Sequence, residues 1–279
     1  MRMRSLLFVP GDRPDQMKKA LKAGADALIL DLEDSVAAAN KAEARRAVSE
    51  FLQANPKESL WVRINPLDNS DVDRDLAAVV TGRPDGIVLP KAEGGGAVTE
   101  LARALSDRGN VTAMILAIAT ETPAAMFGLG TYAGVKRLAG LTWGAEDLSA
   151  ALGAASPRDE EGGLTAPYEI ARALCLFGAA AAGVAAIDTV YPAHKDLDGL
   201  AAYAARARQD GFTGMLAIHP DQVAVINQAF TPSAEEVARA QAIVDAFKAS
   251  PGAGVLSVDG KMVDRPHLLQ AQRIVASAG

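Results

Sequence analysis

Apolar and polar positions fall in blocks along this chain: short runs of β-favouring residues, each followed by a longer stretch of helix formers. The first run, 6–9, is stopped by Pro10 and Gly11, and residues 14–23 then carry helix formers with Pro14 placed for a first turn. Further strands are expected at 27–32, 60–64, 86–89, 111–119, 138–143, 185–190 and 215–218, with helices at 41–54, 72–80, 97–108 and onward from Pro123. These runs lack strict polar alternation, which suits strands covered on both faces, as parallel strands between helices are. Eight such units in about 230 residues predict an α/β fold of the TIM (β/α)8 barrel type. A doubly wound open sheet is the alternative, but no G-x-G-x-x-G follows the first strand.

Past the eighth strand the pattern changes, predicting a barrel over 1–232 and a C-terminal helical extension and lid over 233–279. Residues 233–250 read as a capped helix with Glu235 and Glu236 in its first turn and apolar Val237, Ala240, Ile243, Val244 and Phe247. A loop at 251–254 leads to a hairpin around Asp259-Gly260 and a last helix from Pro266. This tail exceeds what one barrel needs, so capping its own barrel and reaching a neighbouring subunit both stand open.

Composition narrows the classes. With 279 residues, 49% hydrophobic and 22% charged, the chain can bury a sizeable core, which excludes disorder as its main state. Lys and Arg total 28 against 34 Asp and Glu; a net charge of -6 argues against nucleic-acid binding. The single cysteine, Cys175, allows no internal disulfide or Cys-rich metal site and lies in an apolar run, as a buried core thiol would. The N-terminal apolar run is too short for a signal-peptide core, and no stretch approaches the ~18 residues of a membrane span. A soluble cytoplasmic protein without membrane partners is expected.

In a TIM barrel the chemistry is built at the C-terminal strand ends. Here those ends carry Asp31, Glu33 and Asp34, then Arg63 and Asn65, Lys91 and Glu93, Glu121, Glu146 and Asp147, and finally His219. So many carboxylates at one mouth repel each other unless a cation is bound, and hard oxygen ligands favour magnesium. Glu121 and Asp147, on adjacent expected strands, form the best ligand pair. Each can also be a helix-start carboxylate facing a dipole. Arg63 can hold a carboxylate or oxyanion through paired hydrogen bonds, or simply pair with Asp31 or Glu33. Lys91 as a Schiff-base lysine competes poorly with a metal-type site. For His219, capping the helix beyond Pro220 and touching substrate are equally open.

Seven segments in order, SLLFVPGDRP, DLEDSV, VRINPL, LPKAE, ETP, WGAEDL and GMLAIHPDQV, resemble the HpcH/HpaI aldolase and citrate lyase β-subunit family across nearly the whole chain. Within it the sequence looks like the free-standing CitE-like enzymes, the malyl-CoA, β-methylmalyl-CoA and citramalyl-CoA lyases. The resemblance implies a Mg²⁺-dependent carbon–carbon lyase that cleaves or forms a 3-hydroxyacyl-CoA, with an acyl-CoA and a small 2-oxo acid as the other partners. Glu121 and Asp147 match the metal ligands, and Arg63 matches the arginine on the substrate oxygen and carboxylate. Asp31, Glu33 and Asp34 match the acidic motif that supports the metal waters and Arg63. Phe8 and Lys19, with Arg13 and Lys18 as weaker candidates, match positions lining the CoA arm; Ile218 and His219 match the segment beside the thioester. The tail segment VDGKMVDRP resembles the lid of these lyases, in which an aspartate, matched by Asp264, reaches a neighbouring subunit's site as acid/base. A homo-oligomer, trimer or hexamer, is thereby implied. From the residues alone, Asp264 can equally cap the helix after Pro266.

The residue types suit the chemistry. Deprotonating a thioester's acyl group needs a nearby base and positive charge where negative charge develops. A malyl-CoA thioesterase, or a citrate lyase β-subunit-like component working on an acyl-carrier protein, are the alternatives.

Overall fold

The computed structural model describes residues 2–278. Eight parallel strands, β1 (Ser5–Pro10), β2 (Ala27–Asp31), β3 (Leu60–Arg63), β4 (Gly86–Leu89), β5 (Met114–Ile118), β6 (Leu138–Thr142), β7 (Ala185–Asp188) and β8 (Gly214–Ala217), close into a barrel in sequence order. The last pairing, β8 with β1, joins Ser5 to Met215 and Leu7 to Ala217. Around it run α1 (Pro14–Ala20), α2 (Lys41–Ala54), α3 (Val72–Val80), α4 (Gly95–Asp107), α5 (Ala125–Gly128), α6 (Ala145–Leu152), α7 (Ala166–Ala182), α8 (Leu197–Asp210) and α9 (Pro220–Ala229). The TIM barrel expected from the apolar runs is thus the fold.

The barrel interior is apolar and closely filled. Leu6, Ile29, Trp61, Val88, Leu116, Ile187 and Leu216 form one buried cluster contributed by seven strands, the layered filling that makes a TIM barrel a packed core and not a pore. Trp61 is fully buried, and it fits because its neighbour across the β3–β4 pairing is Gly86, where any Cβ would run into the indole ring.

The expected fifth strand, 111–119, is shorter at its start. Asn110 Oδ1 accepts the N–H groups of Thr112 and Ala113, forming a turn that holds these residues out of the ladder until Met114. Helix α1 stops at Ala20, three residues before the expected end, ahead of Gly24 in the left-handed region. The sequence pattern outlined no helices between β6 and β8; α6, α7 and α8 fill that interval, each ended by a left-handed glycine, Gly153, Gly183 and Gly211.

The chain divides into two compact units, Met1–Asn227 and Gln228–Gly279. The second contains α10 (Ala234–Ala249), a hairpin of β9 (Val255–Val258) and β10 (Lys261–Asp264), and α11 (Arg265–Ala278). Ser233 and Glu236 close a capping box on α10, each side chain accepting the other's backbone N–H. The hairpin turns through Asp259 and Gly260, both with positive φ, as the Asp-Gly pair predicts. Ala240 and Val244 of α10 pack on Ala271 of α11.

Candidate active site at the barrel mouth

Strand register builds the first part of the site. Asp31 and Arg63 are paired positions at the ends of β2 and β3, so their side chains emerge side by side. Arg63 donates from Nε to Asp31 Oδ1 and from Nη2 to Asp31 Oδ2, both at 2.7 Å. Its Nη1 lies 3.1 Å from Glu33 Oε2 and 3.9 Å from Asp34 Oδ2. Burial alone would push the Asp31 carboxyl up, but the Arg63 guanidinium and the N–H groups of Ser35 and Glu33 hold it below the usual carboxylate range. Asp31 therefore fixes Arg63 as a planar fork, while the Phe8 ring packs 4.8 Å from the guanidinium carbon. Asp34 is more than half exposed and sits at the edge of this group.

Lys91 joins that group to the expected metal ligands. Its backbone takes a left-handed φ of 52°, uncommon for a residue with a Cβ and concentrated at functional sites. There its N–H donates to Glu121 Oε2 at 2.6 Å. Its Nζ bonds Glu33 Oε1 at 2.8 Å and lies 3.4 Å from Asp147 Oδ1. Despite burial, these carboxylates hold the ammonium above the usual lysine range, the wrong protonation state for a Schiff-base nucleophile. Burial also pushes Glu33 up, against the pull of Arg63 and Lys91.

Glu121 follows buried Thr120 just past β5 and is itself 3% exposed. Its carboxyl is pushed up to about 8, first by burial and then by the charges of Asp147 and Glu33, against the Lys91 N–H. Gly144 makes room for it: a Cβ there would lie 2.8 Å from Glu121 Cγ. Asp147 stands in the first turn of α6. Among the described residues no cluster of three or more His, Cys, Asp or Glu forms a complete metal cage. Two carboxylates beside an open pocket are nonetheless the donor set Mg²⁺ uses when water and substrate supply the remaining oxygens, and a bound dication would supply the charge that buried Glu121 lacks. The residues fit that ion.

Phe8, Arg63, Glu121 and Asp147 line one pocket, together with Ile118, Trp143, Gly144, Ala145, Glu146, Arg158, Thr189, Val190 and Leu216. Trp143 is held there by a 2.6 Å bond from Nε1 to Asp188 Oδ1, while Arg172 clamps the other Asp188 oxygen. Strand-end reasoning missed Trp143, which precedes the acidic motif it was looking for, and Arg158, which lies on the long β6–β7 connection and at no strand end.

The other expected residues are placed differently. Lys19, with Lys18, is exposed on α1, and Arg13 is exposed beside Asp12; none of the three lines the pocket. Ile218 is 42% exposed just past β8. Its N–H and that of His219 both donate to Gln222 Oε1. The His219 ring caps α9 by accepting the Asp221 N–H at 3.3 Å and stacks on His194 at 5.0 Å. Asn65, also at a strand end, is structural: Asp75, Lys41 and the Leu32 carbonyl use its polar atoms. In the second unit, Asp264 ends β10 and pairs with His267 in the first turn of α11, which holds its carboxyl below the usual range. It is a ready base.

The sequence pattern of the HpcH/HpaI aldolase/citrate lyase family matches residues 4–220. A citrate lyase subunit beta-like protein of Deinococcus radiodurans is 35% identical, covering 98% of this chain and 96% of its own. A (3S)-malyl-CoA thioesterase of Cereibacter sphaeroides is 33% identical, covering 99% and 94%. The crystal structure of CitE from Mycobacterium tuberculosis in complex with magnesium, acetoacetate and coenzyme A superposes with a TM-score of 0.85 at 35% identity, covering 100% of this chain and 98% of that one.

Proposed function

The chain belongs to the HpcH/HpaI aldolase/citrate lyase family, enzymes of the lyase type, and from that premise we propose that it cleaves or forms a 3-hydroxyacyl-CoA, such as malyl-CoA or citramalyl-CoA, with an acyl-CoA and a 2-oxo acid as the other partners. The observation that carries this reading is the mouth itself: Arg63, locked by Asp31, shares one pocket with the buried carboxyl of Glu121 and with Asp147. Magnesium complexes of the M. tuberculosis relative support the cofactor.

Glu121 and Asp147 would hold Mg²⁺. When bound, the ion supplies Lewis-acid charge and a template for the carboxylate and carbonyl oxygens of the oxo acid. The remaining work belongs to the chain. In the condensing direction an aspartate base, Asp264 in this proposal, takes a proton from the carbon next to the thioester. That carbon then attacks the oxo-acid carbonyl, the new alkoxide forms beside the Arg63 guanidinium, which donates to it and is kept in place by Asp31, and the alkoxide takes up the proton that Asp264 removed. Cleavage runs the same path in reverse: the substrate hydroxyl gives its proton to Asp264, the alkoxide collapses, the carbon–carbon bond breaks, and Asp264 returns that proton to the enolate carbon. Phe8 and the apolar lining of Ile118, Val190 and Leu216 keep water from that carbanion.

In this reading Lys19, Ile218 and His219 contact the CoA arm outside the pocket. The acid/base aspartate comes from a neighbouring subunit of a trimer or hexamer, in a cytoplasmic enzyme; among the described residues no helix is long and apolar enough to cross a membrane.

Purified protein with Mg²⁺ and a panel of malyl-, β-methylmalyl- and citramalyl-CoA tests the reading: one member is split, and EDTA stops the reaction. A second reading, hydrolysis of the thioester, has the thioesterase relative in its favour. It predicts free CoA in place of a new acyl-CoA. A carrier-dependent β-subunit, as the citrate lyase subunit beta relative of Leuconostoc mesenteroides suggests, predicts no turnover of any free CoA thioester.

A further inference from the structure

The pocket lining contains two cations, Arg63 and Arg158, and they are not equivalent. Arg63 is engaged by Asp31 and Glu33, with Asp34 close by. Arg158 has no carboxylate within ion-pair distance among the described residues. Its Nη1 donates to the Gly162 carbonyl at 3.0 Å, and its guanidinium carbon lies 5.9 Å from the centre of the Tyr203 ring. The backbone beneath it is fixed. Arg158 pairs with Leu164 in an antiparallel bridge, Ser156 Oγ bonds both its N–H and its carbonyl, and the Thr165 N–H donates to the Pro157 carbonyl. A held, half-buried guanidinium with spare donors, facing the pocket that holds Glu121 and Asp147, has the geometry and charge to take a carboxylate by paired hydrogen bonds.

We propose that Arg158 is a substrate-binding residue, its guanidinium receiving a carboxylate of the substrate's acid half. The assignment rests on the lyase reading above for the identity of that acid. A CoA phosphate is the wrong anion for this place, because the pantetheine arm separates the phosphates from the thioester and hence from the reacting carbons. The carboxylate has two sources: the one adjacent to the keto carbon, which every 2-oxo acid carries, and a second one at the far end of a dicarboxylic acid.

Calorimetric titration of pyruvate and of oxaloacetate into the parent protein and Arg158→Gln, all with Mg²⁺, decides between them. Mg²⁺ alone and acetyl-CoA alone are titrated as controls. At least a tenfold loss of affinity for both acids assigns the carboxylate next to the keto group; the same loss for oxaloacetate alone assigns the distal one. In either case Mg²⁺ and acetyl-CoA bind as in the parent, and millimolar guanidinium restores part of the loss. Acid affinities within twofold of the parent, a parent that binds neither acid, or a parallel loss of Mg²⁺ and acetyl-CoA affinity overturns the proposal. Acid binding with no thioester turnover would instead count against the lyase reading and leave Arg158 assigned.

Discussion

Single side chains at the mouth act through what holds them. Arg63→Lys replaces a fork that meets both Asp31 oxygens with a point charge, so activity should fall by about a hundredfold, the order expected for losing one oxyanion donor. Steady-state kinetics check this, and activity within twofold of the parent would remove Arg63 from the chemistry. Gly144→Ala places a methyl against Glu121 Cγ; calorimetry should show weakened Mg²⁺ binding with the far-ultraviolet spectrum unchanged. Away from the site, Cys175 is fully buried, and burial holds its thiol well above the usual range. Ellman's reagent should therefore label it only after denaturation. Strand-end position plus charge singles out Arg63, Glu121 and Asp147 as candidates, and the fold brings all three to one pocket. The sequence offered Arg63 both as a pocket group and as a partner of Asp31 or Glu33, and the structure shows it in both places. What was not readable is that Lys91 offers its backbone N–H to Glu121, which depends on a left-handed φ that no residue type announces.

At the scale of elements, the strands were legible because each is apolar on both faces. Leu28, Ile29 and Leu30 of β2, for example, are all buried. Boundaries failed where side chains compete with the ladder, as Asn110 does ahead of β5. The β6–β7 connection failed more completely: its 153–165 segment is set by Ser156 and Asp159 side chains bonding nearby backbone, a local chemistry without periodicity. Gly86→Ala tests the barrel filling. The added methyl meets Trp61 in a layer with no space to yield, and denaturant unfolding should show a loss of about 2 kcal/mol. Ser233→Ala removes the α10 cap and should cost about 1 kcal/mol in the stability of that unit.

For the whole molecule, the extra C-terminal unit is the feature a lone barrel does not require. It is a compact unit in its own right, carries Asp264 beside His267, and exposes Val255, Met262 and Leu269. If Asp264 serves a neighbouring mouth, contacts run head to tail around a closed ring. Mixing Asp264→Ala chains with Glu121→Ala chains under subunit exchange should then restore part of the lost activity, since some interfaces unite a sound lid with a sound ligand pair. No recovery after verified exchange, or an active monomer by sedimentation, would place the lid in its own chain.

The account's central claim is that this mouth breaks a carbon–carbon bond. Mass-spectrometric quantification of every product from the thioester consumed in Mg²⁺ tests it most directly. The expected result is one acyl-CoA and one 2-oxo acid for each 3-hydroxyacyl-CoA lost, with neither formed by Asp147→Ala. Free CoA and an intact 3-hydroxy acid in equal amounts would contradict it.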